Sequence, residues 1–495
     1  MRWELDWIES RARLTPNATA VVDGGDHEAW SYKDLNDRAE KVASWLLNEG
    51  VRKGERVVLI SPNHISYFDL LFACGKVGAV FTPLNWRLSL EEINFILEDC
   101  TPSVVCYHPI FEELVENLHP CFQQVPISQL YSANGQPISI ELLDEDPLAM
   151  IYTGGTTGRP KGVVLTHQSI LWNGINTIVS WNLTNDDTTL TYLPMFHTGG
   201  LNALSIPLLM AGGKVIIGSN FEPVQAVRII NDFQCTIVLF VPTMYHMLVE
   251  TTEFRQAQFP SMNTFLSGGA PCPLEIYDAF HQKGLMFKEG YGLTEAGPNN
   301  FFIDPIEAQK KLGSVGKPML FNSIKLVKKD GAEALIGEVG EVLIQGKHAF
   351  QSYWNNENAT NAAIKQGWLY TGDLARRDED GYYYIVGRKK DMIITGGENV
   401  YPLEVEHWIS THPHINEVAV IGMPHAKWGE VVTAFIVLKK GATITSNEIK
   451  AHCQYKLGNY KIPKSFFFLD ELPKTHVGKI DKKELRIIGE MKGIK

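Results

Sequence analysis

No two of the seven cysteines form a C-x-x-C pair, and their number is odd. Spacing therefore indicates neither a disulfide framework nor a zinc site, and reduced thiols in a cytoplasmic protein are the expectation. Basic charge is also short: 45 Lys and Arg stand against 56 Asp and Glu, a net charge of -11. Nucleic-acid binding rests on clustered Lys and Arg that neutralise phosphates, so no nucleic-acid partner is expected. A local cationic pocket for a phosphate-bearing small molecule remains compatible with that balance. The uncharged stretch from Gly162 to Asn185 is broken by Thr, His, Gln, Ser and Asn and does not read as a membrane span. The opening Met1-Arg2-Trp3-Glu4-Leu5-Asp6-Trp7 carries acids where a signal peptide would have its apolar core. No solenoid repeat or low-complexity tract is present.

What is there is ordinary globular composition, 44% hydrophobic and 20% charged, over 495 residues. That length exceeds one ordinary core and predicts two or more domains. Apolar positions alternate between helical and strand spacing. Ser31 reads as an N-cap, and Leu35, Ala39, Val42, Ala43, Leu46 and Leu47 recur at helical spacing until Gly50. Arg56–Ile60 follows as a buried strand, then a helix from Ile65 to Val77. Further short strands are predicted at Ser103–Cys106, Lys214–Ile217 and Thr236–Phe240. Such alternation implies parallel or mixed sheets with helices on both faces, an α/β fold.

The stretch that organises the chain is Tyr152-Thr153-Gly154-Gly155-Thr156-Thr157-Gly158-Arg159-Pro160-Lys161-Gly162. Glycines let backbone N–H groups approach an anion, while threonine hydroxyls and a lysine add donors. Polyphosphate is the obvious ligand; a solvated turn between two strands is the plainer alternative. It is not the nucleotide P-loop, because Gly-Lys-Ser/Thr is missing and β-branched Val163-Val164 predicts a strand where a P-loop opens a helix.

The stretch resembles the phosphate-binding signature of the adenylate-forming superfamily, which holds acyl-CoA synthetases, aryl-CoA ligases, luciferases and peptide-synthetase adenylation domains. The family has Ser where this chain has Gly154, a minor departure because Thr153, Thr156, Thr157 and Lys161 still supply donors. Gly290-Tyr291-Gly292-Leu293-Thr294-Glu295 resembles a second signature. The resemblance implies that Tyr291 stacks on adenine, Thr294 bonds the α-phosphate and Glu295 helps hold Mg²⁺. One carboxylate suffices for an ion that keeps phosphate and water oxygens. Pro473-Lys474-Thr475-His476-Val477-Gly478-Lys479 resembles the third signature, which implies that Lys479 is the catalytic lysine.

The resemblance assigns other positions in the same way. Gly269 and Ala270, in a small-residue turn after strand Thr264–Ser267, join the ATP and AMP site. Asp373 takes the ribose position and Arg388 lies near ribose and phosphates. Lys390 takes the hinge position, and Gly396 and Gly397 lie in the loop expected to face CoA. His197, in Leu193-Pro194-Met195-Phe196-His197, inherits a place beside the carboxylate and the pantetheine tunnel; its residues alone suit a packed turn better. No acid occurs from Pro194 to Leu204, where an amino-acid-activating relative would place one, so a plain carboxylic acid is expected.

These features lead to an acyl-CoA synthetase that uses ATP, Mg²⁺ and CoA, with a fatty acyl substrate as the first expectation. Alternatives are an aryl or cyclic acid, acyl transfer to a carrier protein, and a catalytically silent acyl or nucleotide sensor. Trp172, Trp181, Phe196, Phe240 and Tyr245 suit an aryl pocket, an acyl tunnel or the core equally. Residues 1–388 are expected to form the ATP- and acid-binding domain, and residues 389–495 a small mobile α+β domain carrying Lys479.

Overall fold

The computed structural model describes residues 4–118, 122–133, 140–154, 159–475 and 480–493. Among these, no helix is long and apolar enough to cross a membrane. Local signals in the sequence become elements for identifiable reasons. Ser31 accepts from the Asp34 N–H while Asp34 reaches back to the Ser31 N–H, a complete capping box that starts helix Tyr32–Asn48. The helix buries Leu35, Ala39, Val42, Ala43 and Leu46 on one face, and each large apolar side chain removed from water contributes about 1.5–3 kcal/mol, an upper estimate. Thr445 closes in the same way on Glu448, opening helix Ser446–Gln454.

The largest sheet has seven strands, with Arg56–Ile60 between Val80–Pro83 and Val104–Tyr107, parallel to both. Helices cover it on both faces, which is why Val57, Val58, Leu59 and Ile60 are all buried in an uninterrupted apolar run. At one side Pro147–Thr153 turns antiparallel into Lys161–Thr166, so the glycine-rich stretch joins two strands as predicted. Ser352–Tyr353 then adds to the outside of Lys161–Thr166. A second layer holds the parallel trio Ile237–Phe240, Thr264–Ser267 and Phe287–Glu289. The Phe265 N–H donates to the Met286 carbonyl at 2.8 Å at the start of the last of these strands.

An antiparallel sheet follows, with Trp368–Arg377 between Val339–Gln345 and Tyr383–Arg388. Beyond it the chain builds a separate α+β unit. Gly429–Leu438 is the centre of a five-stranded sheet, paired with Ile415–His425 on one side and Ser465–Leu469 on the other. The two hydrophobic cores of this unit draw on residues 393–488, whereas the other three draw on residues 7–385. The fold is thus a large α/β domain with mixed sheets, followed by a smaller α+β domain. All six described cysteines are free and buried.

Candidate active site

Parallel strands place functional loops at their carboxyl ends. The Gly290–Gly297 segment leaves Phe287–Glu289 there and folds back on itself: a Cβ at Gly292 would lie 2.1 Å from the Pro298 carbonyl oxygen. Only glycine permits that approach. The Tyr291 hydroxyl donates to Asp373 Oδ2 at 2.7 Å. Asp373 lies opposite Arg388 in the antiparallel register, and Arg388 Nε reaches its Oδ1 at 3.1 Å. Asp373 is buried and Arg388 exposed. Three residues singled out separately in the sequence therefore meet. Burial, and then the Asp373 charge, push the Tyr291 phenol well above its ordinary value, so it stays a neutral donor.

Thr294 is buried and Glu295 half-buried in a single turn of 3-10 helix. Glu295 Oε1 accepts from the Tyr353 hydroxyl at 2.7 Å, and the Glu295 carbonyl accepts the Phe350 N–H at 2.8 Å. Lys161 Nζ lies 5.1 Å from the centre of the Tyr353 ring. Tyr353 thus joins the glycine-rich hairpin to the Glu295 turn, a role sequence reasoning missed. Its signal was only a two-residue strand, Ser352–Tyr353, pairing across Val163 and Val164. Thr153 is half-buried at the end of its strand and Gly154 is exposed. Gly155, Thr156, Thr157 and Gly158 lie outside the described residues, as does Lys479.

His197 is half-buried at the start of a short helix, Thr198–Leu201, and its carbonyl accepts the Gly200 and Leu201 N–H groups. Its ring stands 5.8 Å from that of Phe196. Asn63 fixes the turn that delivers both: its Oδ1 accepts the Met195 N–H, and its Nδ2 donates to the Leu193 and Gly218 carbonyls. Asn63 is a second functional residue that the sequence reading passed over, since a polar residue after Pro62 reads as turn chemistry. Gly269 takes a left-handed φ of 82° and Ala270 is exposed beside it.

Lys390 is exposed within a turn closed by the Asp391 and Met392 N–H groups on the Arg388 carbonyl. Burial, then Arg388, lower its ammonium pKa. Gly396 and Gly397, with φ of 61° and 89°, turn the hairpin between Ile393–Thr395 and Glu398–Val400. Gly396 donates to the Trp428 carbonyl at 2.9 Å, and a Cβ there would also stand 2.9 Å from the Trp428 ring.

Of the aromatic residues left open between pocket and core, Phe240 and Tyr245 are fully buried in packing. The Tyr245 ring packs on Phe265, Phe280 and Phe287 at centroid distances of 5.1–6.4 Å, and the Phe240 ring packs on Tyr192, Phe221 and Tyr245 at 5.5–6.1 Å. Trp181 and Phe196 belong to the main core, and Trp172 sits edge-on to Phe321. Among the described residues no group of three or more His, Cys, Asp and Glu could hold a metal ion. A hard cation at Glu295 would therefore depend on oxygens brought by its ligand, which suits Mg²⁺ on phosphates.

Comparison with known proteins agrees with this architecture. The family model for AMP-binding enzyme matches residues 8–354, and that for AMP-binding enzyme C-terminal domain matches residues 404–479. A feruloyl-CoA synthase of Amycolatopsis sp is 40% identical over 97% of this chain and 98% of its own length. An indoleacetate–CoA ligase of Aromatoleum aromaticum is 35% identical over 97% of both. The o-succinylbenzoate CoA synthetase of Bacillus subtilis, solved with its acyl-adenylate intermediate, superimposes with a TM-score of 0.89 at 32% identity, covering 97% of this chain and 98% of that one. The chain belongs to the AMP-binding enzyme family and is an adenylate-forming acid–CoA ligase.

Proposed function

We propose that this ligase activates a compact, ring-bearing carboxylic acid rather than a long fatty acid. The carrying observation is the filled aromatic layer beneath the parallel trio of strands. Phe240, Tyr245, Phe265, Phe280 and Phe287 are each fully buried there, and the Tyr245 hydroxyl is tied to the Leu266 carbonyl at 2.9 Å. A long alkyl chain needs a continuous apolar channel, and opening one through such packing would cost several kcal/mol, on the scale of about 3–5 for one lost Phe. The two relatives above are named for ring-bearing acids, which supports this reading over the fatty acyl expectation. A pyrophosphate-release screen over short, medium, long-chain and aryl acids, with CoA present or absent, tests it. Aryl acids should exceed long-chain acids in kcat/KM by about tenfold or more, a difference of about 1.4 kcal/mol. Preference for long chains would overturn the proposal, pyrophosphate release from none would favour a sensor, and thioester formation only on a carrier protein would change the acceptor.

The reaction runs in two steps. The acid's carboxylate oxygen attacks the α-phosphorus of ATP, giving acyl-AMP and pyrophosphate; the CoA thiol then attacks the acyl carbon and AMP leaves. A free carboxylate resists nucleophilic attack, whereas the mixed anhydride has a good leaving group. Asp373, held by Tyr291 and Arg388, accepts from the ribose hydroxyls. Gly269 and Ala270 flank the base on the side opposite Tyr291, and Thr153, Gly154 and Lys161 belong to the phosphate loop with residues 155–158. Thr294 and Lys479 meet charge at the α-phosphoryl group, while Glu295 would hold Mg²⁺, which neutralises phosphate charge when bound. Such catalysis is mostly positioning and electrostatic stabilisation. His197 lies beside the carboxylate. The domain boundary falls between residues 388 and 389, with Lys390 as the pivot that turns the Gly396-Gly397 hairpin toward CoA.

A further inference from the structure

Glu289 is the last residue of strand Phe287–Glu289, directly before the Gly290-Tyr291 turn, and it is 7% exposed. It lies opposite Ser267, the last residue of the neighbouring strand, and the Gly290 N–H donates to the Ser267 carbonyl at 2.8 Å. Both loops that flank the base in the proposed site therefore start at this level. The side chain of Glu289 turns toward helix Leu274–Gln282. Its Oε2 accepts the Cys272 N–H at 3.1 Å, and its Oε1 accepts the Tyr277 hydroxyl at 2.5 Å. Cys272 is two residues beyond Ala270. One buried carboxylate thus ties the far end of the 268–272 turn to the strand that launches Tyr291.

We propose that Glu289 is a positioning residue for ATP, whose ionised carboxylate holds Gly269 and Ala270 at the distance from Tyr291 that a purine needs. This rests on the reading of Gly269 and Ala270 given above. Both groups aimed at the carboxylate are donors, so only the ionised form accepts from both; a protonated carboxyl presents its own hydrogen in place of one acceptor.

The surroundings make this state sensitive to pH near neutrality. Burial pushes the Glu289 carboxyl up to about 7, against the lowering effect of the Tyr277 and Cys272 hydrogen bonds. Tyr277 and the Cys272 thiol are themselves raised by burial and stay neutral. The other groups facing this spot are the Ser267 hydroxyl on the neighbouring strand, Tyr245 on helix Pro242–Glu250 and Glu275 in the first turn of the covering helix. Lys288 points to the opposite face, with its ammonium over Trp181 and Phe302. The sign for stability is opposite to that for ATP. A carboxyl raised above its ordinary value contributes stability fully below that value and loses it as pH rises through about 7. ATP affinity improves over the same rise, because the tether to Cys272 forms.

The test measures KM for ATP, acid and CoA, kcat, and Tm from pH 5.5 to 9 for wild type, Glu289→Gln and Glu289→Leu. In wild type, KM for ATP should fall several-fold between pH 6 and 8 while kcat in saturating ATP stays within twofold. Glu289→Gln, nearly isosteric, should flatten that dependence. Glu289→Leu should hold KM for ATP high and flat across the range, about tenfold above wild type at pH 8, the scale of a lost hydrogen bond to a charged group, with a smaller difference at pH 6, and leave KM for acid and CoA unmoved. A wild-type pH profile that survives in Glu289→Gln overturns the proposal, and so does an equal rise in all three KM values. If Glu289→Leu does not fold, the isosteric variant decides alone. Ala270→Trp separates the two readings: if it leaves KM for ATP unchanged, the turn does not flank the base. If it blocks ATP while the Glu289 variants behave as wild type, only the positioning role fails.

Discussion

The Tyr291 hydroxyl donates to Asp373 Oδ2 at 2.7 Å across 82 residues of sequence, and Arg388 approaches the same carboxylate from the paired strand. The bond fixes the rotamer of the tyrosine and orients an acceptor toward the space in front of it. A ring held by its far end is a preformed stacking surface, and little further entropy is lost when a base arrives.

Tyr291→Phe should raise KM for ATP while kcat changes less, with a loss of about 1.5–3 kcal/mol for a hydrogen bond to a charged group. Asp373→Asn should weaken ATP as well, and the double variant should fall short of the summed effects because the two side chains share one contact. Full additivity in steady-state kinetics would mean that the pair does not act as a unit.

Glu295 and Tyr353 give a second coupled pair. Glu295→Gln should shift the Mg²⁺ titration to higher concentration and slow pyrophosphate release. Tyr353→Phe should do the same more weakly, since it removes only the donor that orients the carboxylate. Unchanged Mg²⁺ dependence in both would reduce Glu295 to a loop residue.

Lys479→Ala should cripple adenylation by about a hundredfold or more, the scale of a removed transition-state donor. Thioester formation from supplied acyl-AMP should largely survive. Equal damage to both half-reactions would remove Lys479 from its assigned role.

Lys390→Pro would fix φ at the proposed pivot and trap one arrangement of the smaller domain. One half-reaction should be spared and the other suppressed, because a lid-type motion gates each step. Stopped-flow pyrophosphate release, run beside acyl-CoA formation from acyl-AMP, distinguishes this from wild-type rates in both, which would place the hinge elsewhere.

Much of the fold was legible because its signals are local. The Ser31 and Thr445 capping boxes need only residues three apart, and Arg56–Ile60 needs only an apolar run of strand length. The glycine turns announce themselves because a left-handed φ, as at Gly269, Gly396 and Gly397, excludes most other residues. Sequence order and residue type therefore determined the α/β class, the large and small domains and the glycine turns. The partners within the site were not legible. Tyr353 meets Glu295, and Asn63 reaches Met195, only after strands far apart in sequence have paired in one register. The same holds for the aromatics. Phe240 and Tyr245 have the chemistry of a pocket wall and of a core alike, and tertiary packing, of Tyr245 on Phe265, Phe280 and Phe287 and of Phe240 on Tyr192, Phe221 and Tyr245, decided for the core. An apolar ring carries no address in its own sequence; which neighbour excludes water from it is settled only when the layers close.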